Sequence, residues 1–109
     1  MDNREARKAY KSRITPKGIF AVRSKISGEV WVCASDHLDT AQNGEWFQLR
    51  AGSHRNPQLQ AAWKAHGETA FEFEILETFD AKTPPLLVGD LSKSRRQYWE
   101  DALRASRLY

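Results

Sequence analysis

The chain has 109 residues, 40% of them hydrophobic and 28% charged, with a formal net charge of +3. That length supports one modest hydrophobic core rather than two, and the composition excludes a disordered chain. No apolar run reaches the roughly 18 residues of a membrane-spanning helix, and a lone cysteine, Cys33, excludes an internal disulfide or a multi-cysteine zinc site.

Residues 3–13 are good helix formers with only a thin apolar stripe, Ala6, Ala9 and Tyr10. They predict a basic helical arm, residues 1–16, that stops before Pro16. Residues 18–23 are apolar on both faces, as in a central strand. A turn through Ser24 to Gly28 leads into a return strand over 29–34, which makes a β-hairpin. Cys33 falls in that strand and reads as a small buried apolar residue. From Leu38 the spacing becomes helical (Leu38, Ala41, Trp46, Leu49), with Ser35 or Asp36 available as N-cap and a kink expected at Asn43-Gly44. Asn56-Pro57 starts a second helix whose inner face is Leu59, Ala62, Trp63 and His66, and Gly67 stops it. Residues 70–79 alternate as a half-exposed strand, with Phe71, Phe73 and Ile75 on one face and Glu72 and Glu74 on the other. After a loop at Lys82 to Pro85, residues 90–105 predict a final helix with Leu91, Tyr98, Ala102 and Leu103 inward. The order is (α)-β-β-α-α-β-α, an α+β domain over residues 17–109.

The charges are segregated along this order. Residues 1–25 carry eight Lys and Arg against two acids, residues 26–92 four against ten, and residues 93–109 five against two. A basic arm and a basic last helix around an acidic middle fit docking onto a polyanion. Trp46, Trp63 and Trp99 lie near helical apolar faces and read as core. His37 has no Cys or His partner at metal-ligand spacing, so no zinc site is expected. The first residues, Met1 to Glu5, contain no apolar secretory segment, which makes the cytoplasm the expected compartment.

Gly18-Ile19-Phe20 and Trp31-Val32-Cys33 occupy the places of two tripeptides in one known family. The match continues through His54-Arg55-Asn56-Pro57-Gln58-Leu59-Gln60, Ala62-Trp63-Lys64-Ala65-His66-Gly67 and Phe71-Glu72-Phe73-Glu74-Ile75-Leu76-Glu77. Over roughly residues 17–101 the chain resembles the GIY-YIG nucleases. The resemblance implies a three-stranded antiparallel sheet flanked by helices. It also implies phosphodiester cleavage with one divalent metal ion, a helix-borne glutamate to hold it, tyrosine hydroxyls at the water and an arginine for the phosphate.

At the former catalytic positions stand Phe20 and Trp31 for the tyrosines, Ala41 for the arginine (Gly44 if the helix slips one turn), and Arg96 for the glutamate. A phenyl ring has no hydroxyl, and an indole N–H donates but cannot accept a proton. A guanidinium repels the cation a carboxylate would hold. Glu100, one helical turn after Arg96, and Arg50 are the candidates to compensate. An exposed Trp31 would offer a stacking platform.

The expected function is therefore a nucleic-acid-binding protein, DNA before RNA, on a nuclease-like scaffold with catalysis lost or severely weakened. Its phosphate contacts are Arg4, Arg7, Lys8, Lys11, Arg13, Arg55, Lys93, Arg95 and Arg96, with no metal or other cofactor and no membrane partner. The alternatives are an Mg²⁺-dependent endonuclease with a rearranged site, which alone would need the metal, and a protein-interaction module that keeps only the fold. Oligomeric state has no signature in the sequence.

Overall fold

The computed structural model describes residues 16–80 and 82–109. Strand β1 (Gly18–Ser24) and β2 (Val30–Ser35) form the hairpin, followed by α1 (Leu38–Ala51), α2 (Pro57–His66), a 3₁₀ turn (Glu68–Ala70), β3 (Phe71–Thr78), α3 (Pro85–Leu103) and β4 (Ser106–Arg107). The sheet order is β3-β1-β2-β4. β1 pairs antiparallel with both β2 and β3, while β4 runs parallel to β2, with Trp31 opposite Ser106 and Val32 opposite Arg107. The α+β class follows from the order of strand and helix patterns in the sequence, and the central place of β1 from its two-faced apolar run. The two-residue fourth strand does not, because Ser106 and Arg107 carry no strand pattern.

Because β1 is central, both of its faces are buried. Phe20 and Val22 join Trp31, Leu38, Trp46, Leu49, Leu59, Trp63 and Leu108 in a core under α1 and α2. On the opposite face Ile19, Ala21 and Val32 pack with Phe79 and, from α3, with Leu91, Trp99 and Leu103. Trp46 and Trp63 meet edge to face at 5.3 Å, a favourable arrangement of ring quadrupoles. None of the described helices is long and apolar enough to cross a membrane.

Two local devices place the site. Gly18 is required where β1 passes β3: a Cβ there would fall on the Glu77 carbonyl oxygen and 2.9 Å from Leu38 Cδ1. Immediately after it a β-bulge shifts the register, so that Ile19 pairs with Glu77 but Phe20 with Ile75. The extra residue sends Leu76 into the α3-side core and turns Glu77 toward α3.

Several expectations need correction. α1 is unbroken through Asn43-Gly44, since Gly44 lies on an exposed face with nothing near it to force a kink. Its N-cap is His37 without a side-chain hydrogen bond; the Leu38 N–H donates instead to the Pro16 carbonyl at 2.9 Å. α3 starts five residues early, at Pro85, where proline suits the first helical turn. Within it Trp99 packs inward, while Tyr98 is half exposed and Ala102 exposed. The basic arm lies outside the described residues.

Candidate functional site

Three of the four positions that the GIY-YIG resemblance marks as catalytic lie in or against the core under α1 and α2. Phe20 is 1% exposed and stacks on Phe73 with centroids 4.9 Å apart. Trp31 is equally buried, and among the described residues its Nε1–H has no hydrogen-bond partner. Strand alternation puts it beside Phe20 beneath the helices, which removes the exposed indole considered as a stacking platform. Ala41 packs against the same cluster, as does Cys33, the cross-strand partner of Phe20.

The fourth position is polar. Arg96 Nε donates to Glu100 Oε2 at 3.2 Å, and Arg107 Nε, on β4, lies 3.5 Å from the same oxygen. Burial, and then the negative charge of Glu45, push the Cys33 thiol up to about 12, while Arg96 and Arg55 pull the other way. The thiol is therefore a protonated, unreactive group, and it donates to the Ala34 carbonyl at 3.1 Å. Glu45 and Arg55 both contact Tyr109, and Arg96 meets Arg107, two residues before it, on Glu100.

Glu45 and Arg55 belong to a polar cluster. The Asn56 N–H donates to His54 Nδ1 at 3.0 Å, which leaves Nε2 as the donor to Glu45 Oε1 at 2.5 Å. The Tyr109 hydroxyl straddles both Glu45 oxygens at 2.7 and 2.9 Å. Its ring is nearly parallel to His54, with centroids 5.5 Å apart, and the Arg55 guanidinium lies over it at 4.4 Å from its centroid. Burial, reinforced by Glu45, holds the Tyr109 hydroxyl protonated well above its ordinary range, so it acts as a donor and not as a base. Asn56 serves twice. Its Oδ1 caps α2 by accepting from the Leu59 N–H, and its Nδ2 donates to the Leu108 carbonyl at 2.7 Å. With the Leu108 N–H bonded to the Val32 carbonyl at 2.9 Å, residues 106–109 are strapped across the end of the sheet.

The remaining candidate cations have different surroundings. Arg50 makes a bidentate pair with Glu68, at 2.9 and 2.8 Å, on the 3₁₀ turn. Arg95 donates to Glu77 at 2.8 Å and lies over the Tyr98 ring, where it buttresses the bulge. Trp99 Nε1 donates to the same Glu77 oxygen at 2.9 Å. Burial alone would raise the Glu77 pKa, but these two donors and the Arg95 charge outweigh it and hold the carboxyl below its usual range. Lys93 and Arg55 are exposed. Arg4, Arg7, Lys8, Lys11 and Arg13 lie outside the described residues. An open groove of about 880 Å³ runs along β3. Two of its charges are already engaged, Arg23 with Glu74 at 2.6 Å and Glu68 with Arg50, and it holds none of the four positions the resemblance marks, so the polar end of β2 is the better candidate.

Two solved structures share this fold. The catalytic domain of the intron endonuclease I-TevI, as an alanine point variant, superimposes with a TM-score of 0.70 at 23% identity, over 83% of this chain and 86% of that one. A second structure of the catalytic domain of the homing endonuclease I-TevI gives 0.68 at 25% identity, over 81% and 88%. I-TevI is a GIY-YIG homing endonuclease. The chain has a GIY-YIG-like fold. No protein-family model and no curated protein matches the sequence.

Within the GIY-YIG-like fold, sequence reasoning missed Glu45, Tyr109 and Arg107, and placed His54 only at a helix start. Glu45 left a signal: it sits on the inward stripe of α1, four residues after Ala41 and four before Leu49, where an acid needs a buried partner. Tyr109 and Arg107 left none, because their positions depend on β4 joining the sheet.

Proposed function

We propose that the chain is a nucleic-acid-binding protein, with DNA as its preferred partner, that uses the GIY-YIG-like scaffold for docking and has lost catalysis or nearly so. What carries the reading is the pairing of losses at the former catalytic positions. Phe20 and Trp31 keep aromatic bulk inside the core and have no hydroxyl to offer water, Ala41 has no charge, and Arg96 reverses the charge of a metal-holding carboxylate.

The donor set does not suit a divalent cation. No group of three His, Cys, Asp or Glu side chains fit to hold a metal occurs among the described residues. Glu100, the compensating ligand considered above, is already engaged by two guanidiniums, so a cation there would displace them and face both positive charges. Arg50, the compensating cation, is committed to Glu68.

Arg55, Lys93 and Arg96, with the basic arm, supply the phosphate contacts of this proposal. The neighbours' description as endonuclease catalytic domains supports nucleic acid as the ligand class. Binding is expected to be salt-sensitive and weakly sequence-specific. Titrating a labelled duplex at about 50 and 200 mM salt, alongside plasmid incubation with Mg²⁺ or Mn²⁺, tests it. Salt-dependent binding without nicking is the expected result, with affinity lowered and the salt slope shallower in Arg96→Glu. Nicking that Glu100→Ala abolishes would instead favour the rearranged endonuclease. No binding to DNA or RNA at low salt would favour the protein-interaction module.

A further inference from the structure

Arg96 and Arg107 share a single carboxylate oxygen, and each meets it through Nε. Arg96 comes from α3 and Arg107 from β4, and both contacts end on Glu100 Oε2, at 3.2 and 3.5 Å. Among the described residues neither guanidinium has another carboxylate partner. Glu100 is 15% exposed at its side chain, Arg96 20% and Arg107 58%, so the group is partly shielded yet open on the Arg107 side. Two cations therefore hold one anion, and Arg55 lies over the ring of Tyr109, two residues after Arg107. Each guanidinium keeps further N–H donors in a planar fork, the geometry that matches a tetrahedral oxyanion better than one shared carboxylate oxygen does.

We infer that Arg96 and Arg107 form a phosphate clamp in which Glu100 is a built-in competitor, occupying the two guanidiniums until a backbone phosphate displaces it. The nature of the incoming phosphate rests on the nucleic-acid reading above; the clamp itself does not. Glu100 has a tethered carboxylate's high effective concentration, so it lowers apparent affinity for any free oxyanion. It also imposes selectivity. A lone phosphate competes poorly, whereas a nucleic acid that engages Arg55 and Lys93 at the same time has the binding energy to displace it. Arg107 thereby becomes a binding residue, although nothing in its sequence context marks it as one.

Glu100→Gln keeps the shape and removes the competing charge. Binding of a labelled duplex is measured for the unaltered protein, Glu100→Gln, Arg107→Gln and the double variant, each checked for folding by thermal melting. Glu100→Gln is expected to tighten binding roughly fivefold, the upper end for an ion pair of this exposure, and to steepen the salt slope by about one phosphate contact. Arg107→Gln is expected to weaken binding and to cancel the gain in the double variant. Unchanged or weaker binding by folded Glu100→Gln overturns the competitor role, and an Arg107→Gln variant that binds normally overturns the clamp.

A separate titration with inorganic phosphate follows the arginine Nε–H signals by NMR. Arg96 and Arg107 are expected to shift in the unaltered protein, and at lower phosphate in Glu100→Gln. If no duplex binds but these signals move, the nucleic-acid reading fails and the clamp stands. If they stay still in the unaltered protein at high phosphate, the clamp fails, whether or not Glu100→Gln folds.

Discussion

Trp31 and Cys33 are two residues apart on β2 and turn toward the same face of the sheet, yet their surroundings differ. Around Trp31 the helices α1 and α2 close with Val22, Leu49, Leu59 and Leu108, and even its indole N–H is without a partner among the described residues. Around Cys33, one rung nearer the strand end, Glu45, Arg55 and Arg96 all act on the thiol. The first region packs aromatic bulk at two positions where the GIY-YIG resemblance implies tyrosines, and it carries no hydroxyl there. The second gathers charge from α1, the loop before α2, α3 and the segment after it. Packing needs bulk and periodicity, which aromatic substitutions preserve. Phosphate chemistry needs hydroxyls, carboxylates and cations at set places, and these can be lost one by one while the core stays closed.

Breaking the polar region at its centre should have the largest effect. Glu45→Ala strands the fully buried His54 side chain and frees the Tyr109 hydroxyl, and is expected to cost about 2–3 kcal/mol in urea unfolding. The Leu108 amide, held on Val32, should then exchange faster. A loss below about 0.5 kcal/mol, the range of an ordinary surface substitution, would mean that the strap holds without the cluster.

Restoring a hydroxyl to the dry region is the complementary test. Phe20→Tyr places an O–H in a site 1% exposed, where it should cost about 1–3 kcal/mol and bring no Mg²⁺-dependent nicking. A neutral or stabilising result would mean that water still enters the former cleft. The smallest effect concerns Glu77, outside both regions. Its folded pKa lies below the unfolded value of about 4.3, so its contribution is present above that pH and is lost as pH falls through the folded pKa. Glu77→Gln should flatten the acid limb of the stability profile below about pH 4.3 and leave the rest of the curve parallel. An unchanged acid limb would separate the bulge from the Arg95 and Trp99 contacts.

Much of this was legible in the sequence, for identifiable reasons. The two-faced apolar run of β1, the Asn56-Pro57 start of α2 and the alternation of β3 are local patterns, and the structure carries each where its period placed it. The burial of Trp46 and Trp63 followed from helical spacing alone. Asn43-Gly44 misled because helix continuity there rests on the packing of Leu38, Trp46 and Leu49 on either side of it and not on local propensity.

By itself, the sequence determined the α+β order, the central strand and which residues stand at the positions of the GIY-YIG resemblance, because periodicity and residue identity are properties of the chain. Only the tertiary structure decided that Trp31 is sealed, that Glu45 is the acceptor for His54 and Tyr109, and that Arg107 meets Arg96 on one carboxylate. Those contacts join residues as far as 64 positions apart in sequence. They exist because a two-residue strand with no periodic signature pairs with β2 and carries the chain's last residues over the end of the sheet.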